Sequence, residues 1–360
     1  MVRVVVASDK FKGSLTSAEV AAAVAAGVGR VHSAATVASV PVADGGDGTL
    51  AAAVAAGYQL VPVVASGPTG RPVSTGYARL GDIAVVELAD VCGLVRLPGG
   101  VPEPMAATSY GMGQVMAAAL DAGCTRVILA IGGSASTDGG TGLVQALAGG
   151  AYGIEPSEQS LVQVGEQLAG VRVIVACDVD NPLTGPRGAA AVYGPQKGAT
   201  AEQVAELDRR LTAWAEQVAE QTGQDLRDTP GAGAAGGVGF AALALLKAEL
   251  RPGIDLVLDM VRFREQLSGA DLVITGEGAL DEQTLHGKAV AGVAAAARAS
   301  GVPLVAVCGI NRLLPEQLTA AGVRAAYSLN ELQPDLQRCI AEPIPLLQAV
   351  GERIAKEHLR

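Results

Sequence analysis

The stretch RVILAIGGSASTDGG, residues 126–140, decides the fold class of this 360-residue chain. It passes from an apolar, β-branched run at 126–131 into a loop of glycine and small hydroxyl residues, and a helical stretch follows near Leu143–Ala148. Such a passage from strand to helix is typical of α/β proteins. The small and polar residues at 132–140 exceed what a turn needs. Their backbone amides, next to a helix N-terminus, favour the binding of an anion such as phosphate.

The same order of strand, loop and helix recurs along the chain. Apolar runs near 2–8, 36–42, 171–176, 271–275 and 303–307 each lead into a loop, and most of these loops contain Asp or Glu as well as Gly. Continuous apolar strands that alternate with helices indicate a parallel sheet buried on both faces. Ligands of such sheets bind outside the carboxyl ends of the strands. We therefore expect the chemistry of this protein at those ends.

An insertion interrupts this pattern after Ser66. A turn at 67–73 and a hairpin formed by 75–80 and 83–88 differ in texture from the preceding units, and a polar helix over Ala201–Gln221 belongs to the same insertion. The sequence predicts two α/β domains. Residues 1–65 and 268–360, from both chain ends, form the parallel-sheet domain, and residues 66–267 form the inserted one.

Composition excludes several classes of function. The formal charge is −10 and no basic run is present, which argues against a nucleic-acid partner. The 3 histidines are scattered and the 5 cysteines contain no Cys-x-x-Cys pair, so a zinc site is not expected. The first apolar run leads directly into Asp9 and Lys10, and no apolar stretch approaches the ~18 residues of a membrane span. We expect no signal peptide, no membrane partner and a cytoplasmic protein.

Standard nucleotide motifs do not account for the glycines. No Gly-x4-Gly-Lys-Ser/Thr sequence is present. A Gly-x-Gly-x-x-Gly pattern at Gly231, Gly233 and Gly236 follows a segment that does not read as a strand, so the context of a dinucleotide fingerprint is missing. The alternative is a glycine-rich N-terminus of a helix over Phe240–Leu250, which would still offer free N–H groups to an anion.

Several lysines lie next to glycine at predicted strand or helix ends. Lys10, Lys12 and Ser14 follow the first strand, where a lysine is expected to meet a carboxylate or a transferred phosphate, although lysine pairs on loops are usually solvated. Lys197 and Lys288 are further candidates for anion contacts.

Carboxylates form the complementary set. They are Asp44, Asp47, Asp178, Asp180, Glu277 and Asp281. Clustered carboxylates need a cation or a proton between them, and Mg²⁺ bridging ATP phosphates would supply that charge. Each of them could instead cap a helix. Asp281 could orient the attacking hydroxyl. His286 is either a turn residue or a catalytic one, and we favour the turn.

Taken together, these segments resemble the bacterial type I glycerate kinase family. The matching stretches are FKGS (11–14), PVADGGDGT (41–49), GPTGRP (67–72), GGSASTDGG (132–140), ACDVDNP (176–182), YGPQKGA (193–199), GAGAAGGVG (231–239) and TGEGALDEQTLHGK (275–288). They follow the family's order over nearly the whole chain. Two positions depart from its pattern: Lys10 stands where serine is usual, and Thr137 where asparagine is common.

The resemblance implies ATP- and Mg²⁺-dependent phosphorylation of D-glycerate, in a Rossmann-like domain and an inserted α/β domain with the active site between them. We expect 2-phosphoglycerate as the product rather than 3-phosphoglycerate. The site predictions assign catalysis to Lys12, Asp44 and Asp281, and substrate contacts to Asp9, Lys10, Ser14, Arg71, Glu277 and Lys288. They assign the ATP phosphates to Gly132, Gly133, Ser134, Ser136, Asp138, Gly139 and Lys197, and Mg²⁺ to Asp178 and Asp180.

Other functions stay open at this point. A kinase for another short hydroxy acid, such as tartronate or a sugar acid, would carry the same motifs. A non-catalytic sensor of organic acids would keep the fold without the chemistry. A nicotinamide oxidoreductase is disfavoured because the dinucleotide context is missing.

Overall fold

The structure is a computed structural model that describes residues 2–285 and 288–359. Its strands are β1 (Arg3–Ser8), β2 (Thr36–Ser39), β3 (Gln59–Ser66), β4 (Pro72–Leu80), β5 (Ile83–Glu87), β6 (Arg126–Ala130), β7 (Arg172–Ala176), β8 (Glu249–Arg251), β9 (Leu272–Leu280), β10 (Leu304–Asn311) and β11 (Ala326–Ser328). Its α-helices are α1 (Ser17–Val31), α2 (Thr49–Ala55), α3 (Leu88–Cys92), α4 (Tyr110–Asp121), α5 (Thr141–Leu147), α6 (Glu158–Gln167), α7 (Ala189–Tyr193), α8 (Ala201–Thr222), α9 (Ala234–Ala244), α10 (Gly253–Met260), α11 (Phe263–Gln266), α12 (Ala289–Ala299), α13 (Pro315–Ala320), α14 (Leu329–Leu332), α15 (Leu336–Ala341) and α16 (Pro343–His358). Short 3-10 helices lie at Leu94–Arg96, Pro98–Gly100, Pro195–Lys197 and Glu282–Leu285.

The chain divides into two compact units, each with its own sheet. The first unit comprises Met1–Asp44, Ala51–Ala56 and Ile254–Arg360, and the second comprises Gly45–Leu50 and Gly57–Gly253. The predicted α/β class, with one domain built from both chain ends and another inserted, is confirmed.

The unit boundaries differ from the predicted residues 65/66 and 267/268. β3 belongs to the sheet of the second unit, so that unit takes up the chain already at Gly57. Most of α10 and all of α11 belong to the first unit, because Val257 and Phe263 are buried in the same core as Val273 of β9. The sequence gives no composition change at either point.

The sheet of the first unit is entirely parallel, in the order β11-β10-β9-β1-β2. Side chains of β1 alternate between two cores, Val4 and Val6 with α1 and α16 on one face, and Val5 and Ala7 with α10 and α12 on the other. All of them are fully buried. The predicted burial of the strands on both faces is therefore confirmed, and the carboxyl ends of β1 and β9 meet at one edge.

Two strands of this sheet end elsewhere than predicted. β2 stops at Ser39, because Val40 donates the last hydrogen bond to Val6 O at 2.8 Å and Pro41 has no N–H to continue the ladder. β9 extends to Leu280, since its pairing with β10 continues through Glu277 and Ala279. Glu277 is therefore a strand residue and not a loop residue.

The sheet of the second unit is mixed, in the order β3-β4-β5-β6-β7-β8. β3, β4 and β5 are antiparallel, which confirms the predicted hairpin, and β5 to β8 are parallel. The expected helix over Phe240–Leu250 is wrong in its second half. α9 ends at Ala244, and Glu249–Arg251 pairs with β7 as an edge strand.

Helices cover the apolar strands in both units. Capping boxes begin α1 at Thr16 and α8 at Thr200, and Gly223 ends α8 in the left-handed conformation. The predicted polar helix over Ala201–Gln221 is thereby confirmed. Across residues 2–285 and 288–359, none of the helices combines the length and the apolar character that spanning a bilayer requires.

Candidate active site

Carboxylates gather at the carboxyl end of the sheet in the first unit. Asp9 follows β1, Asp44 follows the segment after β2, and Glu277 lies in the extended part of β9. We call these residues the acidic edge. The amide of Asp9 donates to Gly276 O at 2.8 Å, which fixes Asp9 beside Glu277. The parallel register thus brings together predicted site residues that are far apart in the sequence.

Burial shifts the ionisation of the acidic edge. It raises the pKa of Asp9 from 3.8 to about 7, and the negative charges of Asp44 and Glu277 act in the same direction. The Lys10 amide, which donates to Asp9 Oδ1 at 2.7 Å, and the Lys10 charge oppose this rise. Burial also raises the pKa of Glu277. At neutral pH a proton is therefore easily taken up or released at this edge.

A short hydrogen-bonded chain links Asp281 to Glu277. The Asp281 amide donates to Thr284 Oγ1 at 3.0 Å, and Thr284 Oγ1 donates to Glu277 Oε1 at 2.5 Å. Asp281 Oδ1 accepts from the Gln283 amide at 2.9 Å. Asp281 therefore shapes the turn after β9 and caps the 3-10 helix Glu282–Leu285. Helix capping was the alternative role that the sequence left open for this residue.

The lysines next to the acidic edge have different surroundings. Lys288 Nζ donates to Gln283 Oε1 at 3.0 Å, and its charge partly offsets the raised pKa of Glu277. Lys12 is exposed, and its side chain forms no hydrogen bond or ion pair with any other residue in the described ranges. Its ammonium group is thus available for an anionic ligand.

Ser14 and Arg71 occupy other surroundings. Ser14 Oγ donates to Ile340 O at 3.0 Å and so joins the first loop to α15. Arg71 is exposed on the turn between β3 and β4, in the second unit, where its carbonyl accepts from the Gly67 amide at 2.7 Å. Their predicted substrate contacts stay predictions.

In the second unit, residues 132–140 form a glycine-rich loop between β6 and α5, which we call the glycine loop. Gly133, Gly139 and Gly140 have positive φ angles of 78°, 67° and 77°, which favour glycine. Gly133 is exposed, whereas the segment from Ser134 to Thr137 is buried. The loop therefore follows a tightly constrained path with one accessible side.

Asp138 holds the glycine loop together. Its carboxylate accepts hydrogen bonds from Ser109 N at 2.7 Å, Ser109 Oγ at 2.9 Å and Thr108 Oγ1 at 3.0 Å. The amides of Gly140 and Gly142 donate to the same carboxylate at 3.1 and 3.3 Å. Asp138 thus joins the loop to the N-termini of α4 and α5, and this role differs from the predicted direct contact with phosphate.

Lys197 lies beneath the loop and not on its accessible side. It is 3% exposed, and Nζ donates to Ser134 Oγ at 2.8 Å and to Ser136 O at 2.5 Å. Burial lowers the pKa of the ammonium group to about 7, and the charge of Asp138 opposes this shift. The predicted phosphate contact of Lys197 therefore has no support in this arrangement.

Part of the glycine loop has polar groups without partners. Ser136 Oγ and Thr137 Oγ1 are buried and form no hydrogen bond with any other described residue. Within the described residues, the backbone N–H groups of Ser136, Thr137 and Asp138 also donate none. Buried polar groups in native proteins are normally paired, and exceptions point to a bound water or ion. The loop thus has the donors that a phosphate group requires.

The second glycine-rich segment, at 231–239, packs against the glycine loop. Ala235, Gly236 and Gly237 have positive φ angles of 53°, 70° and 95°. Gly236 O accepts from the Gly139 amide at 2.9 Å, and a Cβ at Gly236 would lie 2.0 Å from Ser136 O. These glycines permit close backbone contact, which explains the Gly-x-Gly-x-x-Gly pattern without a dinucleotide.

The predicted Mg²⁺ ligands have separate partners. Asp178 Oδ1 accepts from the Gly253 amide at 2.8 Å. Asp180 forms an exposed ion pair with Arg187 at 3.3 Å. The described residues contain no group of three or more His, Cys, Asp or Glu side chains that could hold a metal ion. A metal ion here would rely on few protein ligands, as Mg²⁺ bound to a nucleotide does.

Sequence reasoning missed Glu87, at the end of β5. Its carboxylate accepts from the amides of Leu50 at 2.7 Å and Gly48 at 3.2 Å. Burial raises the pKa of Glu87 to about 7, although these hydrogen bonds oppose the shift. A signal was present, since Glu87 ends an apolar strand as the predicted site acids do. Thr108, Ser109 and Thr284 had no such signal in the sequence.

His286, which the sequence analysis considered, lies outside the described residues.

Comparison with known proteins identifies the same family that the sequence motifs resemble. The model of the glycerate kinase family matches residues 4–359. Glycerate kinase from Bacillus subtilis is 42% identical over 91% of this chain and 90% of its own length. Glycerate 2-kinase from Escherichia coli is 39% identical over 85% of each chain. A crystal structure from Salmonella typhimurium LT2, described as a glycerate kinase 2, superimposes with a TM-score of 0.80 at 38% identity, covering 99% of this chain and 97% of the other.

The fold and the comparisons together define the protein as a kinase built from two α/β units. The chain belongs to the glycerate kinase family, and the resemblance noted from its motifs is confirmed.

Proposed function

We propose that this enzyme transfers the γ-phosphoryl group of ATP to the 2-hydroxyl of D-glycerate and releases 2-phosphoglycerate and ADP. Membership of the family supports glycerate as the acceptor. The Escherichia coli relative, named glycerate 2-kinase, supports the 2-hydroxyl. The observation that carries the proposal is the acidic edge, where the carboxyl group of Asp9, with a pKa of about 7, lies near the charge of Lys10, and Glu277 lies near that of Lys288.

The acidic edge suits a small hydroxy acid. The free ammonium group of Lys12 would pair with the glycerate carboxylate, and Lys10 and Lys288 add positive charge to the same edge. Asp9 is better matched to proton transfer than Asp281, since its pKa is close to neutral and Asp281 Oδ1 already accepts from Gln283. As the glycerate oxygen bonds to the γ-phosphorus, its proton passes to Asp9 and the bond to the leaving oxygen of ADP breaks.

The glycine loop suits the phosphates of ATP. The unpaired backbone N–H groups of Ser136, Thr137 and Asp138 are the proposed donors to phosphate oxygens, and Gly133 gives an approach without a side chain. Mg²⁺ would neutralise phosphate charge, with Asp178 and Asp180 as its candidate ligands. Catalysis by these groups is mainly positioning and charge neutralisation.

Phosphorus NMR of a reaction containing the purified protein, MgATP and D-glycerate tests this proposal. We expect ADP and 2-phosphoglycerate to appear together. A 3-phosphoglycerate signal would overturn only the position of transfer. Faster turnover with tartronate or a sugar acid would reassign the acceptor. Glycerate binding without ATP turnover would support an organic-acid sensor instead.

We also propose that the enzyme works in the cytoplasm with reduced thiols. All of its cysteines, Cys92, Cys124, Cys177, Cys308 and Cys339, are free, and Cys177 is the only one that is not buried.

A further inference from the structure

The buried side chain of Lys197 has no evident use in the chemistry described above. It extends from the 3-10 helix Pro195–Lys197, which Gly198 ends in the left-handed conformation, into the interior behind the glycine loop. Its hydrogen bonds go to Ser134 Oγ and Ser136 O, and so span the first half of that loop. A buried amine is costly unless it is paired, so these contacts are expected to constrain the loop strongly.

The hydrogen bond to Ser136 O sets the direction of a neighbouring N–H group. The carbonyl of Ser136 and the amide of Thr137 belong to one trans peptide plane, in which the two groups point in opposite directions. Because the carbonyl points to Lys197, the Thr137 N–H points away from it. This N–H is one of the unpaired donors of the glycine loop.

A second contact of the Ser136 carbonyl leaves it little freedom. A Cβ at Gly236 would approach Ser136 O to 2.0 Å, so the backbone of Gly236 packs directly against this oxygen. Lys197 attracts the carbonyl and Gly236 limits its movement. The peptide between Ser136 and Thr137 is therefore held in one orientation before any ligand binds.

We propose that Lys197 is a positioning residue that orients the glycine loop for the phosphates of ATP, and that it does not itself contact them. The inference rests on the proposed binding of ATP by this loop. It replaces the phosphate contact that the sequence predicts for Lys197. Ser134 is the partner through which Lys197 acts, and removing either residue should loosen the same part of the loop.

Titration of ADP into variants by calorimetry tests this role. The variants are Lys197→Met, which keeps the length of the side chain without its hydrogen bonds, Ser134→Ala, and the double variant. Lys356→Met, on the exposed surface of α16, is the matched control. We expect Lys197→Met to weaken ADP binding about tenfold, Ser134→Ala to weaken it less, and the double variant to resemble Lys197→Met, because interacting residues are non-additive. The KM for glycerate should change less than about twofold.

A direct phosphate contact would give a different pattern. Ser134→Ala would then leave ADP affinity unchanged, or its loss would add in full to that of Lys197→Met in the double variant, and either result would overturn the positioning role. Should Lys197→Met fail to fold, Ser134→Ala alone decides, since an unchanged ADP affinity in that variant contradicts the inference.

Gly133→Asp and Gly133→Asn distinguish failure of this inference from failure of the proposed function. Gly133 is exposed with a φ of 78°, a conformation that Asp and Asn tolerate equally, so the pair differs in charge alone. A much weaker ADP affinity in the Asp variant supports phosphate binding at the loop. Equal affinity in the two variants would remove ATP from the loop. A clear Asp effect with no Lys197→Met effect would overturn only the role of Lys197.

Discussion

The acidic edge and the glycine loop differ in how their polar groups are satisfied. In the acidic edge, burial and neighbouring charges raise the pKa of Asp9 and Glu277, and the Lys12 side chain forms no hydrogen bond or ion pair with another described residue. In the glycine loop, Asp138 and Lys197 are enclosed by hydrogen bonds, and the unpaired groups are mainly backbone amides.

The difference corresponds to two kinds of ligand recognition. Side chains whose charged form is disfavoured by burial can exchange protons. Together with a nearby lysine they can bind a charged acid, which suits the acceptor substrate. Backbone donors in a fixed loop bind phosphate through geometry, which suits ATP. We therefore expect changes in the acidic edge to affect chemistry and glycerate binding, and changes in the glycine loop to affect ATP binding and stability.

The largest expected effect comes from Asp9→Asn. Removing the proton acceptor should lower kcat by about 10²–10⁴, with little change in the KM for ATP. Steady-state kinetics measure both constants. Glu316→Gln, which removes an exposed carboxylate of α13 in the same unit, is the matched control and should retain full activity. A kcat within twofold of the original protein would exclude Asp9 as the base.

Lys12→Ala is expected to have the second-largest effect on activity. Loss of one charged hydrogen bond to the glycerate carboxylate is expected to lower kcat/KM for glycerate by about 10–100-fold. The fold should be unaffected, since Lys12 is exposed, and thermal unfolding checks this point. Raising the salt concentration should weaken glycerate binding in the original protein more than in the variant. An unchanged kcat/KM would remove Lys12 from the site.

Asp138→Ala should affect the glycine loop in both stability and binding. It leaves the amides and hydroxyls around Ser109, Thr108 and Gly140 without their acceptor, so the free energy of unfolding should fall by about 2–4 kcal/mol. The KM for ATP should rise at the same time. Denaturant titration and kinetics measure the two effects. A stable variant with an unchanged KM for ATP would contradict the role given to Asp138.

The pH dependence of stability gives the most specific effect. The folded pKa of Asp9, about 7, lies above its ordinary value of 3.8, so the folded state holds the extra proton between these values and loses stability as pH rises through them. Asp9→Asn removes this loss. Its stability relative to the original protein should increase from about pH 4 to pH 7 and then remain constant. Denaturant titration across this range would show a flat difference if Asp9 were ionised normally.

Local sequence patterns predicted the elements well where strands are buried and loops carry glycine. β1, β6 and β7 and the polar helix α8 lie close to their predicted positions. The misplaced ends depend on partners far away in the chain. β9 continues through Glu277 because β10 pairs with it, and residues 249–251 form a strand because β7 offers an edge.

The site could be predicted as a set of residues but not as a set of roles. Asp9 and Glu277 were recognisable as acids near strand ends, although their raised pKa values depend on burial in the folded unit. Lys197 and Asp138 stand in glycine-rich motifs in the same way as a phosphate ligand would. Only the folded structure shows that their side chains contact protein groups around the glycine loop.

The central claim is that the acidic edge serves glycerate and the glycine loop serves ATP. Measuring the KM for both substrates in Lys12→Ala and Asp138→Ala tests it most directly. We predict that Lys12→Ala raises the KM for glycerate and leaves that for ATP within about twofold, and that Asp138→Ala does the reverse. If each variant raised both constants equally, or if the two effects were exchanged, the assignment of the two regions would be wrong.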